Sequence, residues 1–572
     1  MSHGDAPGQR RTNFEGSDKA VATAIMTTLT QPASTAFRQR SDAMRREAHV
    51  QQRLVRSLLD PACYPHPVSG VTLLETHGSY VLLTGHVAYK IKKAVNLGFL
   101  DFSSLDRRRF YCEEELALNR RLAGELYEAV VPICGTPEVP VLGNGNGKCP
   151  DRPFEYAVRM REFPQEALLD RRLAAGALTS DEVDTLADRI AAFHVSCPRS
   201  TAGSDHGNPE RIWQPAAENF AQLRASTKGV FDLVLLDVLE RWSRNEYARQ
   251  RIFMAERQRD GFIRECHGDL HLGNIALVDA MPVPFDCIEF SANLRWIDVI
   301  NEIAFLFVDL DLHGRPDLAW RLLNRYLEHT GDHAGLRLLP FYCVYRALVR
   351  AKIAAIRAAQ GDPEQAKSLA ATRTRHLVAA RRASLARRPL LVVMHGVSGS
   401  GKTWLSQAIL ERIGAIRLRS DIERKRLHGL SPCTREAPEA GAALYDSKTT
   451  IATYQHLMQL ALPLLQAGLP VIIDATCLKG WQRMLFSGLA DTLRIPLCIV
   501  SCTADTATLE QRVVARRLAG ADASDADIAV LRHQLQHREP LDAAAAARTL
   551  TFSSGHDSLA AFLDRVDRLV PP

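Results

Sequence analysis

The sequence predicts two unlike domains, an α+β N-terminal domain and an α/β C-terminal domain built on a parallel sheet. Three observations carry this. The chain has 572 residues, too many for one hydrophobic core. Short β-rich runs near the start give way to a long helical stretch, from about residue 180 to 380. From about residue 390, apolar strand-like runs alternate with amphipathic helices, the pattern of a parallel sheet.

The elements follow in order. Residues 1–45 are polar and aperiodic and are expected to form a disordered leader, with Met26 as a second candidate start. "EAHVQQRLVRSLLD" has helical spacing, and Pro61 stops it. "VTLLETHGSYVLLTGHVAYKIKKAV" reads as an antiparallel meander. "DRRRFYCEEELALNRRLAGELY" is strongly helical in period. The first domain is placed at 46–371. The basic stretch 372–389 is a linker or the last helix of that domain. The second domain is placed at 390–572, with strands "LLVVM", "AIRLRS", "PVIIDA" and "LCIVSC". No internal repeat relates the halves.

Composition narrows the function classes. Hydrophobic residues make up 46% and charged residues 24%, ordinary for a soluble globular chain. A net charge of +6 is small for this length and gives no ground for a nucleic-acid partner. The 12 cysteines lack paired zinc spacing and read as reduced, mostly buried thiols in a cytoplasmic protein. No run reaches the roughly 18 apolar residues that span a bilayer. The best, "LMQLALPLLQAGLPVIID", is broken by Pro463 and Pro470, so no membrane partner is expected.

"GVSGSGKT", from Gly396 to Thr403, satisfies G-x-x-x-x-G-K-[ST]. The glycines Gly396, Gly399 and Gly401 let the loop curl, so that its N–H groups, with Ser398 and Ser400, converge on phosphate oxygens. The helix that follows points its positive end at the same anion. Lys402 is placed to reach the β- and γ-phosphates of ATP, and Thr403 to ligate Mg²⁺. Asp474 ends a buried strand and is a metal-holding candidate, against a turn-forming role. Asp421 ends another strand and is either the base for an acceptor hydroxyl or a helix cap. Arg512 and Arg516 share a helix face, with Arg517 beside them, as lid arginines or as a solvated basic face.

"ECHGDLHLGNIALVDAMPVPFDCIEF", Glu265 to Phe290, carries a second constellation. Asp269 and Asn274 have the D-x-x-x-x-N spacing of a kinase catalytic loop. Asp269 is the candidate base, and Asn274 and Asp286 are candidate metal ligands. Upstream, "VAYK" offers Lys90 to steady phosphates, with Lys92 in reserve. Glu115 is the candidate partner, with Glu113 and Glu114 competing. No G-x-G-x-x-G precedes the lysine. His77, Gly78 and Ser79 in "ETHGSY" are candidates to cover the phosphates instead. His267 is expected to orient the loop, and a zinc site from His267, His271 and Asp269 is disfavoured. Asp298, Glu302 and Asp309 are expected to anchor the loop. Glu289 is either a metal contact or a partner of Arg295.

The pattern H-G-D-x-x-x-x-N resembles the aminoglycoside-phosphotransferase branch of the protein-kinase-like fold. The second half resembles the P-loop ATPases and kinases that act on small molecules or polynucleotide ends. Taken whole, "THGSYVLLTGHVAYKIKK", "HGDLHLGN", "PFDCIEF" and "GVSGSGKT" resemble bacterial two-domain proteins joining these two folds. The resemblance implies two nucleotide sites that use ATP and Mg²⁺ to phosphorylate hydroxyls of small-molecule acceptors. Two alternatives stay open. One domain is a non-catalytic ATP sensor, or the chain is a nucleic-acid end kinase using Arg373 to Arg388, Arg417, Arg419, Arg424 and Arg426, which is not favoured. Neither the acceptors nor the oligomeric state is readable.

Overall fold

The computed structural model describes residues 35–569, apart from 77, 97–99, 144–150, 202, 361–362, 432–445 and 520–526. Two compact units emerge, Met1–Leu116 with Glu125–Glu162, and Ala117–Gly124 with Phe163–Pro572.

The first unit is a six-stranded sheet in the order β1-β2-β3-β6-β4-β5. The expected meander supplies β1 (Thr72–Glu75), β2 (Ser79–Leu83) and β3 (Val87–Lys92), all antiparallel. β4 (Tyr127–Gly135), β5 (Pro140–Leu142) and β6 (Glu155–Arg161) complete it. Period-two alternation sends Leu82, Tyr89 and Ile91 inward, where they meet Leu54 and Leu58. Leu54 lies in the helix Thr35–Ser57, which starts earlier than the sequence suggests, and Leu58 directly follows it. Residues 1–34 of the expected leader lie outside the described residues.

In the second unit, β7 (Ile263–Glu265) pairs with β10 (Trp296–Asp298), and β8 (Ile275–Val278) forms a hairpin with β9 (Met281–Pro284). Helices surround these strands. The buried faces of Ser180–Ser196, Val299–Leu312, Pro316–Thr330 and Leu339–Gln360 share one hydrophobic cluster with the sheet that follows. The basic stretch is helical as far as Ala383, within the helix Pro363–Ala383. Arg373 pairs with Asp232, and Arg382 with Asp311, so part of its charge is spent internally.

The C-terminal sheet is parallel throughout, in the order β12-β13-β11-β14-β15. The four expected strands are β11 (Leu391–His395), β12 (Ile416–Arg419), β13 (Val471–Asp474) and β14 (Leu497–Thr503). β15 (Thr549–Ser553) is a fifth that the sequence reading missed, because "TLTFS" is short and only partly apolar. β11 is central, and its near-continuous apolar run is buried on both faces. Ligands in such sheets bind beyond the carboxyl ends of the strands, where Gly396, Asp421 and Asp474 follow or end them.

Nine described cysteines are free thiols, all buried but Cys63. Cys134, which the reading took as reduced, is disulfide-bonded. Among the described residues, no helix is long and apolar enough to cross a membrane.

Candidate active sites

In the first unit, Lys90 and Lys92 share a strand face and converge on one carboxylate. Lys90 Nζ donates to Glu115 Oε1 at 2.8 Å, and Lys92 Nζ to Glu115 Oε2 at 2.6 Å. Burial selects Glu115 among the three adjacent glutamates. Its side chain is 0% exposed, whereas Glu113 lies on the surface paired with Arg109. Burial by itself would raise the Glu115 carboxyl, but the two ammonium groups overcome it and pull it from 4.5 to about 2. Lys92 is wholly buried and Lys90 keeps 13% exposure, so Lys90 is the more accessible ammonium. The turn before β2 differs from expectation. The N–H groups of Gly78 and Ser79 both donate to Thr76 Oγ1, at 3.3 and 2.9 Å, and so are already engaged. His77 lies outside the described residues.

In the second unit, the Asp269 loop is held by two of the three acids the sequence singled out, Glu302 and Asp309, while Asp298 caps the helix Val299–Leu312. Glu302, 0% exposed, accepts from His267 N at 2.7 Å and Gly268 N at 2.8 Å. Asp309 accepts from Leu272 N at 2.9 Å. Asp298 forms a buried pair with Arg257 at 2.7 Å. Arg346, which the sequence reading missed, donates to Gly268 O at 3.0 Å. Gly268 has φ +89, and a Cβ there would sit 2.8 Å from Leu294 O. That close approach explains H-G-D in place of H-R-D.

His267 is buried and uses both ring nitrogens. Nε2 lies 2.8 Å from Phe285 O, and Nδ1 accepts from Asp269 N at 3.3 Å. It therefore orients the loop, and no ring nitrogen remains for zinc. His271 Nδ1 accepts from Gly273 N, so a neutral ring carries its proton on Nε2, 3.6 Å from Asp269 Oδ2. Asn274 Nδ2 also reaches Asp269, at 3.0 Å to the main-chain oxygen and 3.1 Å to Oδ2. Enclosure would raise the Asp269 carboxyl, yet His271, His267 and Arg346 hold it well below the usual range. A carboxylate kept ionised can accept a hydroxyl proton.

The β8–β9 hairpin then brings Asp286 to the same place. Phe285 N donates to Asn274 O at 2.9 Å, so the aspartate is one residue beyond the open end of the hairpin. Asp286 has φ +63, a left-handed conformation uncommon outside glycine, asparagine and aspartate. Arg295 pairs with Glu265 at 3.0 Å and donates to the main-chain oxygen of Glu289.

The loop Gly396–Thr403 curls through positive φ at Gly396 (+140), Gly399 (+83) and Gly401 (+89). A Cβ at Gly396 would lie 2.6 Å from Cys502 O, and one at Gly399 2.8 Å from Leu509 O. Gly401 starts the helix Lys402–Ile413 without a capping side chain, which leaves its positive end open to an anion. The Ser400 hydroxyl, 1% exposed at the residue level, finds no partner among the described residues. Lys402 Nζ donates to Val397 O at 2.9 Å, and burial pushes its ammonium down while Asp474 opposes. An orphaned hydroxyl, a desolvated ammonium and an uncapped helix together fit a phosphate.

Lys402, Thr403, Asp421, Asp474 and Arg516 line one cavity of about 690 Å³. Thr403 and Asp474 are the oxygens available to a metal. Asp421 lies in the first turn of the helix Ser420–Leu427, whose N-cap is Arg419, so it is not the cap. Its carboxylate accepts from Arg424 at 3.0 Å. Arg512 is not among the lining residues and lies 3.5 Å from Gly399 O and 2.7 Å from Ser554 Oγ, and Arg517 is exposed. Two features were not foreseen. Gln534 Oε1 accepts from Ser398 N at 2.8 Å, and Tyr454 packs edge-on against Trp481 on the cavity wall. Gln534 belongs to no motif in the sequence.

Four arginines offered as a nucleic-acid track are consumed internally. Arg417 and Arg419 pair with Glu328, Arg424 with Asp421 and Arg426 with Glu423. Backbone tracking needs such charges free for phosphates.

Comparison with known proteins adds to this geometry. Residues 391–541 match the family model of an AAA domain. The GDP complex of aminoglycoside 2'-phosphotransferase-IIIa aligns with 57% of this chain and 99% of its own, at 15% identity and TM-score 0.36. A gluconokinase from Sinorhizobium meliloti aligns with 32% of this chain and 95% of its own, at 22% identity and TM-score 0.23. Uncharacterized protein Rv2004c of Mycobacterium tuberculosis is 31% identical over 500 residues, which covers 87% of this chain and 94% of that protein. The C-terminal region, a parallel sheet behind a P-loop, matches an AAA-domain model, and the chain belongs to the family that includes Rv2004c.

Proposed function

We propose that the protein is an Mg·ATP-dependent phosphotransferase with two nucleotide sites, one in the domain 46–371 and one in the domain 390–572. Each transfers the γ-phosphoryl group to a hydroxyl of a small molecule. The observation that carries this reading is the cavity shared by Lys402, Thr403, Asp421, Asp474 and Arg516. Glycine-loop amides and the helix end bind the phosphates, and Lys402 neutralises them. Thr403 and Asp474 would hold Mg²⁺, which draws charge from the phosphate oxygens. Asp421 takes the acceptor proton as the acceptor oxygen bonds phosphorus and the β–γ bridging bond breaks. Arg516 offsets charge on the transferring group.

In the second unit, Asp269 plays the base, and Asn274 and Asp286 would hold the metal; in the first unit, Glu115 fixes Lys90, an ammonium suited to steady phosphates. What supports this is an ionised Asp269 touched by Asn274, with Asp286 next to the residue bonded to Asn274. A second reading, in which the domain 46–371 only senses ATP, is favoured by the engaged N–H groups of Gly78 and Ser79.

The deciding experiment incubates the protein with γ-labelled ATP and panels of hydroxyl metabolites, aminoglycosides and 5′-hydroxyl oligonucleotides. Labelled product that disappears with Asp269→Asn or with Lys402→Ala assigns each domain its acceptor. No labelled product from any panel, with ATP bound, would leave the sensing reading in place of transfer.

A further inference from the structure

β12 is the edge strand of the parallel sheet, and an edge strand exposes unpaired main-chain groups. Here the helix Pro316–Thr330, from the domain 46–371, covers them. Asn324 Nδ2 donates to Ala415 O at 2.9 Å, and Asn324 Oδ1 accepts from Arg417 N at 2.7 Å. One amide side chain thus takes the place of a neighbouring strand.

Glu328 lies four residues further along the same helix face. It accepts from Arg417 Nη2 at 2.7 Å and from Arg419 Nη1 at 3.5 Å. Glu328 is 6% and Arg417 7% exposed, so this is a buried pair. Arg417 Nη1 then reaches Thr403 O at 3.2 Å and Ser406 Oγ at 3.3 Å. The Ser406 hydroxyl is 3.2 Å from Asp474 Oδ2. A continuous chain therefore runs from Glu328, through Arg417 and Ser406, to the Asp474 carboxylate and to the main-chain oxygen of Thr403.

We infer that Glu328 is a positioning residue for the metal side of the phosphate loop, so that the domain 46–371 completes the site of the domain 390–572. This rests on the reading of that loop as an Mg·nucleotide site. The physical reason is competition for Asp474. A buried guanidinium without its carboxylate partner seeks the nearest other carboxylate. Asp474 is one hydroxyl away. An Arg417 turned toward Asp474 would cancel the charge that attracts Mg²⁺. Glu328 keeps the guanidinium aimed the other way and leaves Asp474 available.

The test titrates a fluorescent ADP analogue into the full chain, with Mg²⁺ and with EDTA, and reads the affinity gained from the metal. Glu328→Gln is expected to reduce that gain about 10-fold, as loss of a supporting residue behind a metal ligand does. Affinity in EDTA is expected to stay level. Glu328→Gln combined with Arg417→Met removes the competing cation and is expected to restore most of the gain. Glu328→Asp should fall between wild type and Glu328→Gln. A full metal gain in Glu328→Gln, or equal losses with and without Mg²⁺ in both variants, overturns the inference. Binding by wild type that Lys402→Ala leaves untouched would overturn the phosphate-loop reading itself, and this inference with it.

Discussion

The loop around Asp269 presents side-chain oxygens, whereas the loop Gly396–Thr403 presents main-chain amides. The first needs a scaffold from distant sequence. Glu302, Asp309 and Arg346 hold the backbone of residues 267–272 in place. The second needs mainly its own glycines and the helix that starts at Lys402. A side-chain site is thus fragile toward remote substitutions, and a main-chain site chiefly toward local ones, with Glu328 as the proposed remote support of its metal side.

Substitutions at the centre of each loop should produce the largest effect. Asp269→Asn, measured in a Lys402→Ala background, is expected to slow transfer by the first domain about 10²–10⁴-fold, while ATP affinity holds. Unchanged turnover would remove Asp269 from the role of base and break the comparison at its root.

Remote support comes next. Glu302→Ala leaves the buried N–H groups of His267 and Gly268 without an acceptor. About 2–5 kcal/mol of stability should be lost, read as a shifted denaturant midpoint. Smaller again is Gly401→Ala. It meets no close atom but must adopt φ +89, which costs about 1–2 kcal/mol. That cost should appear as roughly tenfold weaker nucleotide binding at the second site only.

pH gives the finest discrimination. Glu115 has its carboxyl lowered in the fold from 4.5 to about 2, so its contribution is complete above 4.5 and fades as pH falls toward 2. The stability gap between wild type and Glu115→Gln should therefore close over that interval. A gap that stays constant would mean Glu115 acts by shape and not by charge.

Much of both sites was legible because the motifs are local. Gly396 to Thr403 is one uninterrupted stretch, and Asp269, Asn274 and Asp286 lie within a loop and a hairpin. Glu302 and Asp309 stood out as acids in the apolar helix Val299–Leu312. Gln534, Arg346 and Glu328 did not stand out. Each is an ordinary polar residue on a helix, and only packing shows what it touches. Glu115 was favoured among three glutamates, but the strand pairing of Lys90 and Lys92 with the helix made burial the arbiter.

By itself the sequence determined the two fold classes, the glycine conformations of the phosphate loop and the spacing of the candidate site oxygens. Each depends on residues a few positions apart, where backbone sterics and periodicity act. The tertiary structure alone decided which charges are shared. It closed Gly78 and Ser79 onto Thr76, spent the arginines of β12 on Glu328, and covered that strand with Asn324. Pairing and burial are long-range properties, fixed only when segments far apart in sequence exclude water from between them.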